Sequence, residues 1–225
     1  MKKSKDIYIC GSGGTAREVY GILKSLGLHT HVKGFIVGNG YPIKKTTLFS
    51  VAVLHEKDSD IYSSPSECFM AVGTPEKKIW VADMQKKGAH FMSVVHPSSV
   101  ALEGSHNGEG TIIFPGVFMT TNITIGDFTI INTGSTIGHD TKIGAYSHIS
   151  PGVHIAGNVR IGNNTWVGIG TTIIQNISIG NNCFIGAGSV VTEDISDGHL
   201  SYGVPAKPVR QITPKDLNML LKITI

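Results

Sequence analysis

From Ile125 to Val191 the chain keeps one beat. Every sixth residue is aliphatic: Ile125, Ile131, Ile137, Ile143, Ile149, Ile155, Ile161, Val167, Ile173, Ile179, Ile185 and Val191. The residue after each is small or short in all but one case, Ile174, and the residue two before each is small or β-branched. A helix would need apolar residues at i, i+3, i+4 and i+7, and that spacing is missing here. A fixed six-residue period is instead the mark of a β-helix, with one short strand and one turn per repeat. A single hexad cannot bury its aliphatic side chain alone, so stacked coils must line those side chains up as an axial core.

If three hexads close one triangular coil, residues eighteen apart stack, and the residue before each core position points outward. One outer face then carries Thr124, Lys142, Arg160 and Ser178, and a second carries Thr136, His154, Thr172 and Val190. The third carries Ile130, His148, Trp166 and Phe184. An outward apolar ladder calls for a partner, and for a rod of threefold section that partner is a second and third copy of itself. The expectation is a homotrimer packed through this third face. Gly157 should lie one coil above His139, and Asn132 and His148 should be nearly stacked. A cleft between subunits could then gather His139 from one chain with Asn132 and His148 from another.

Ahead of the repeat the pattern changes. Asp6–Cys10 reads as a buried strand, followed by the turn Gly11-Ser12-Gly13-Gly14-Thr15-Ala16 and a helix to about Leu26. Glycines in such a turn let backbone N–H groups approach a phosphate at a helix N-terminus; the alternative is a tight turn with no ligand. A dinucleotide dehydrogenase wants an acid at the end of the second strand, here Val32–Val37. No Asp or Glu occurs between Glu18 and Glu56, which argues against that class. Val51–Leu54 and Phe69–Val72 read as strands. Thr74 and Pro75 open a helix to about Lys87, and Phe91–Val95 closes the series as a strand. Alternating elements of this kind predict a Rossmann-like α/β domain over residues 1–95. His96–Ser99 is the junction to a β-helix domain over 96–203, whose first coil is irregular, with Gly104–Gly110 as a protruding turn. Beyond it, 204–225 reads as an extended basic tail, with Thr213 and Pro214 starting a last short helix.

Composition narrows the partners. A formal charge of +3 on 225 residues suits small anionic ligands and lacks the clustered basic footprint of a nucleic-acid binder. Cys10, Cys68 and Cys183 are far apart, odd in number and without metal spacing, as expected for reduced thiols in a cytoplasmic protein. The apolar run Ile7–Cys10 is too short for a signal segment, and no run approaches a membrane span.

The pair His139-Asp140 is the foremost candidate for chemistry. An imidazole can take a proton from an attacking amine or hydroxyl, and a carboxylate can support the imidazolium; a solvated turn histidine is the alternative. His148 could equally be an interface residue, and His154 a surface one. These three histidines do not converge on a metal. Cys183 occupies a small, buried repeat position, and Ser147 has no base beside it.

Taken together, the coil, the run Ile131–Asp140, Ala156-Gly157-Asn158 and the closing Gly203-Val204-Pro205-Ala206-Lys207 resemble the hexapeptide-repeat, left-handed β-helix acyltransferases. The glycine-rich α/β domain and His96–Ser99 point to the branch of sialic-acid O-acetyltransferases and nucleotide-4-amino-sugar N-acetyltransferases. The resemblance implies acetyl-CoA as cosubstrate, no metal, and His139 as general base with Asp140 beside it. It implies that Asn132 and His148 line the acceptor and thioester end of the cleft. Ala156, Gly157, Gly186, Ala187, Pro205, Ala206 and Lys207 would hold the coenzyme, and Gly11, Ser12, Gly13, Gly14 and Thr15 would cradle the phosphates of a nucleotide-linked amino sugar. The left hand of the coil comes from the resemblance alone. Two departures bear on acceptor binding and on the identity of the base: Thr15 stands where relatives often have His, and Val37-Gly38 where they often have Asp. The reaction implied is N-acetylation of a nucleotide-linked 4-amino-4,6-dideoxysugar for glycan or O-antigen assembly. The alternatives are O-acetylation of sialic acid or another surface-polysaccharide sugar, and a rigid scaffold without turnover.

Overall fold

The computed structural model describes residues 5–63, 66–74, 77–213 and 216. They form two compact units, one up to residue 94 and one from residue 95 onward.

In the first unit, β1 (Asp6–Cys10), β2 (Val32–Val37), β4 (Val51–His55) and β5 (Ser66–Met70) make a sheet in the order β4-β2-β1-β5. All three of these pairings are parallel. The short β3 (Thr47–Leu48) adds an antiparallel edge to β4. Strands of this sheet read as continuous apolar runs because helices cover parallel sheets. Ile9, Phe35, Ile36 and Met70 are accordingly buried. Helix α1 (Gly14–Ser25) turns Ala16, Val19, Ile22 and Leu23 inward, and α2 (Lys77–Lys86) turns in Lys77, Val81 and Met84. Both sets follow the helical period, so one stripe of each helix seals the sheet.

Two expectations shift here. The strand expected at Phe69–Val72 spans Ser66–Met70. The strand expected at Phe91–Val95 divides: Phe91 makes a single bridge to Cys68, and only Val94–Val95 is paired as a strand. Pro75 and Pro214, the expected first residues of two helices, lie outside the described residues. Thr213 does cap a turn, its N–H and hydroxyl both donating to Asp216.

The second unit is a parallel β-solenoid with three faces, strands on each stacking at a spacing of eighteen residues, as in Thr136↔His154 and Ile130↔His148. Its core is the aliphatic column read from the sequence, Ile125 to Val191, extended by Ile113, Met119 and Ile195. Each fully buried aliphatic side chain is worth about 1.5–3 kcal/mol. The small position two before each core residue has a second use. Thr129, Ser147 and Thr165 each donate a hydroxyl to a carbonyl fifteen residues on. Each also accepts the backbone N–H of the residue one coil up. Buried polar groups are thereby all satisfied along this ladder.

Corners need a left-handed backbone. One corner uses Gly116, Gly134, Gly152, Gly170 and Gly188, and another uses Asn122, Asp140, Asn158 and Asn176, all at positive φ. The third includes Phe128 and Tyr146 at φ 55° and 59°, a costly conformation for large side chains. Their rings stack at 5.3 Å, which holds both in place.

The irregular first coil was expected to protrude at Gly104–Gly110. It does not: His106–Asn107 pairs in register under Thr124–Ile125. Gly108 and Gly110 lie directly against Asp127 and Phe128, where a Cβ would collide. The aliphatic beat is lost there because the exposed Asn107 takes the core position on the rod's end coil. The extended segment after Gly203 is likewise paired. His199–Gly203 joins the third face beside Phe184–Ile185, and Ala206–Gln211 runs antiparallel to it.

The third face also differs from expectation. Ile130 is fully buried within the single chain and His148 is buried too, while Trp166 and Phe184 are half-buried. His148 lies flat on Trp166, centroids 3.9 Å apart, which withdraws its ring from water. The apolar ladder left open is therefore the upper part, Trp166 and Phe184.

Candidate functional site

His139 and Asp140 occupy the corner whose left-handed position is filled by Asn at the neighbouring coils. Asp tolerates that conformation nearly as well as Asn, so the carboxylate costs the corner little. It faces back along the chain: His139 Nδ1 lies 2.8 Å from Asp140 Oδ2. Asn122, one coil below, donates its side-chain amide to the other oxygen at 3.2 Å. The hydrogen bonds from His139 and then Asn122 hold the Asp140 carboxyl below the usual carboxylate range. With Nδ1–H donated to a carboxylate, the imidazole presents its lone pair at Nε2, the arrangement of a base oriented by an acid. Both side chains are more than half exposed, so a substrate can reach them.

Gly157, one coil above, explains the ring's position. A Cβ there would sit 2.5 Å from His139 Nε2 and 2.6 Å from Cε1. Only glycine gives the imidazole a bed. Asn158 N–H meanwhile donates to the His139 carbonyl at 2.7 Å, fixing the backbone beneath. Asn122 was not singled out in the sequence; its place eighteen residues before Asp140 was the available signal.

Asn132 and His148 come together as expected. The Asn132 side-chain amide donates to Ile149 O at 2.9 Å and lies 3.0 Å from His148 Nε2. A donor at Nε2 leaves that nitrogen as acceptor and the ring proton on Nδ1. Within the chain the His139 ring belongs to a corner and the His148 ring to the third face.

The residues expected at the coenzyme divide by exposure. Gly186 backs onto Tyr202, whose Cβ lies 2.7 Å from where a glycine Cβ would be, and Ala206 is buried. Ala187, Pro205 and Lys207 are exposed and Ala156 half-exposed. Lys207 pairs with Glu193 at 2.7 Å across open surface, a contact worth about 0–1 kcal/mol.

In the α/β unit the Gly11–Thr15 turn leads from β1 into α1. Gly11 is at φ 123°, and a Cβ there would lie 2.9 Å from Ala71 O. This close approach of the β1 and β5 ends excludes any other residue. Ser12 and Gly14 are exposed, and the first turn of α1 has neither a side-chain cap nor an acidic residue.

Residues 122–157 and 158–193 match the bacterial transferase hexapeptide family, a model of six repeats. A perosamine N-acetyltransferase from Caulobacter crescentus, solved with CoA and GDP-perosamine, superposes with a TM-score of 0.84 at 28% identity, covering 93% of this chain and 99% of that one. Over nearly its whole length the chain is similar to these acetyltransferases, and its residues 122–193 carry the hexapeptide repeat. The acetyltransferase domain of PglB from Neisseria gonorrhoeae, solved with acetyl coenzyme A, matches the chain at TM-score 0.80 and 25% identity, over 92% of this chain and 100% of that one. WeeI from Acinetobacter baumannii matches at 0.81 and 26%, with the same coverage. No curated protein matches by sequence. Among the described residues, no helix is long and apolar enough to cross a membrane.

Proposed function

We propose that the protein is an acetyl-CoA-dependent N-acetyltransferase acting on a nucleotide-linked amino sugar, a 4-amino-4,6-dideoxysugar, with His139 as general base. The observation that carries this reading is the exposed His139–Asp140 pair, its ring packed against Gly157 and its Nε2 given no hydrogen-bond partner among the described residues. Full-length likeness to enzymes solved with CoA and GDP-perosamine supports the choice of substrates.

The sugar amine attacks the thioester carbonyl, and its excess proton passes to His139 Nε2. Asp140 stabilises the imidazolium that forms. Collapse of the tetrahedral adduct breaks the C–S bond, and the coenzyme leaves as the thiol after taking up a proton. Asn132 and His148 belong to the same reading as acceptor and thioester contacts from a neighbouring subunit of a homotrimer, closed over Trp166 and Phe184. The coenzyme is held by the backbone around Ala156, Gly157, Gly186 and Ala187 and by Pro205, Ala206 and Lys207, of which Ala187, Pro205 and Lys207 are exposed. The Gly11–Thr15 turn receives the acceptor's diphosphate.

The test is thiol release from acetyl-CoA with UDP-, dTDP- and GDP-linked 4-amino sugars, sialic acid serving as the hydroxyl control. Turnover is expected with one amino sugar nucleotide and to fall about 10²–10⁴-fold in His139→Ala. Near wild-type turnover in that variant removes His139 as base. Turnover on sialic acid alone replaces N- by O-acetylation, and no release with any acceptor leaves a binding scaffold.

A further inference from the structure

The α/β unit buries two charged side chains, and it treats them in opposite ways. Glu56 receives hydrogen bonds from Tyr62, from Trp80 Nε1 at 2.8 Å and from Lys87 Nζ at 2.7 Å. Lys77 is 1% exposed, and its Nζ is buried with no hydrogen-bond partner among the described residues. An isolated ammonium out of water is costly. Burial alone lowers its pKa to about 7.

Its place in the fold is specific. Lys77 shares the inward stripe of α2 with Val81 and Met84, in the first turn. Helical side chains lean toward their own N-terminus, and α2 begins where the chain has just left the carboxyl end of β5, beside β1. Those strands flank the switch point of the sheet: from β1 the order proceeds through β2 to β4 on one side and to β5 on the other. Ligands of open α/β sheets bind in the crevice above such a point. The same crevice holds the Gly11 turn and the uncapped, acid-free N-terminus of α1, whose free N–H groups and dipole favour an anion. The uncapped helix end thus follows β1, and the helix that opens with this cation, unpartnered among the described residues, follows the adjacent β5, whose continuation at Ala71 lies against Gly11.

We propose that Lys77 is the counter-charge for the diphosphate of a nucleoside diphosphate group seated on the Gly11–Thr15 turn. A cation beneath the site needs no direct contact, because a poorly screened interior carries its field. The inference rests on the proposed nucleotide-linked acceptor and names the residue that recognises its phosphates in this chain. The diphosphate of the coenzyme has the same chemistry, so both are assayed.

Titration calorimetry on the full chain uses UDP, dTDP, GDP and, separately, CoA. Wild type is expected to bind at least one nucleoside diphosphate. Lys77→Met, which keeps length and removes charge, should weaken that binding at least tenfold, leave CoA binding unchanged, and melt no lower than wild type. Gly14→Asp gives a second handle, since a Cβ at Gly14 meets nothing within 4 Å. It places an acid at the head of α1 while Lys77 stays intact, and should weaken the same ligand whether or not Lys77→Met folds. Unchanged nucleotide affinity in either folded variant overturns the proposal. So does a wild-type chain that binds none of the three, or a Lys77→Met loss confined to CoA. Thiol release judges the acyl transfer independently: turnover with an unaltered KM for the sugar nucleotide in Lys77→Met removes Lys77 and keeps the enzyme. Nucleotide binding through Lys77 without thiol release does the reverse.

Discussion

The two units solve the same problem of burying polar groups by different means. In the solenoid inward hydroxyls are answered at repeating positions of neighbouring coils, as Ser147 donates to Gly162 O, accepts the Thr165 N–H and gives its own N–H to Thr129. In the α/β unit the answer is particular to each group: Glu56 gathers Tyr62, Trp80 and Lys87 from later in the chain, whereas Lys77 is given no hydrogen-bond partner among the described residues. Repetition makes satisfaction local and legible. A single layered core makes it a matter of tertiary packing.

The sharpest way to break this comparison is at the place where the repeat does chemistry. Gly157→Val inserts a side chain where the His139 ring lies. It should cost about 10²-fold or more in kcat while circular dichroism shows the rod intact; unchanged turnover would mean the ring is not held there. A core residue comes next. Ile149→Ala opens a cavity in the axial column and should lower unfolding stability by about 2–5 kcal/mol, read by denaturant titration.

The α/β unit responds through charge. Glu56→Gln leaves Lys87 without its buried partner and should cost this unit about 1–3 kcal/mol, measured at neutral pH. In the wild type, burial raises the Glu56 carboxyl, but hydrogen bonds from Lys87, Tyr62 and Trp80 outweigh it and hold its pKa below the ordinary value of 4.5. A carboxyl depressed in the folded state stabilises above that ordinary value and loses the contribution as pH falls through the folded one. Melting of wild type should therefore drop below pH 4.5 more steeply than melting of Glu56→Gln. The smallest effect is expected at the surface. Lys207→Ala removes the exposed pair with Glu193 and should change stability by about 0.5 kcal/mol or less. A larger loss would show the hairpin to be held by charge rather than by buried Ala206.

How much could be read in advance follows the same division. The beat at Ile125–Val191 gave the faces, the stacking of Asn132 on His148 and the place of Gly157 over His139. The beat fails where a coil has no neighbour below, at Asn107, and there the reading of a protruding turn went astray. Phe91–Val95 was misread because apolar content alone cannot tell a paired strand from a bridged segment.

A period of six with three to a turn leaves one way to bury its aliphatic side chains, so the solenoid, its core and its corners were determined by sequence alone. Tertiary structure decided the rest. That Asp140 turns back to His139, that Ile130 and His148 are enclosed rather than open, and that Lys77 lies buried beside the switch point all depend on which distant groups meet. No local spacing encodes those meetings, because their energy comes from desolvation and partnership across the fold.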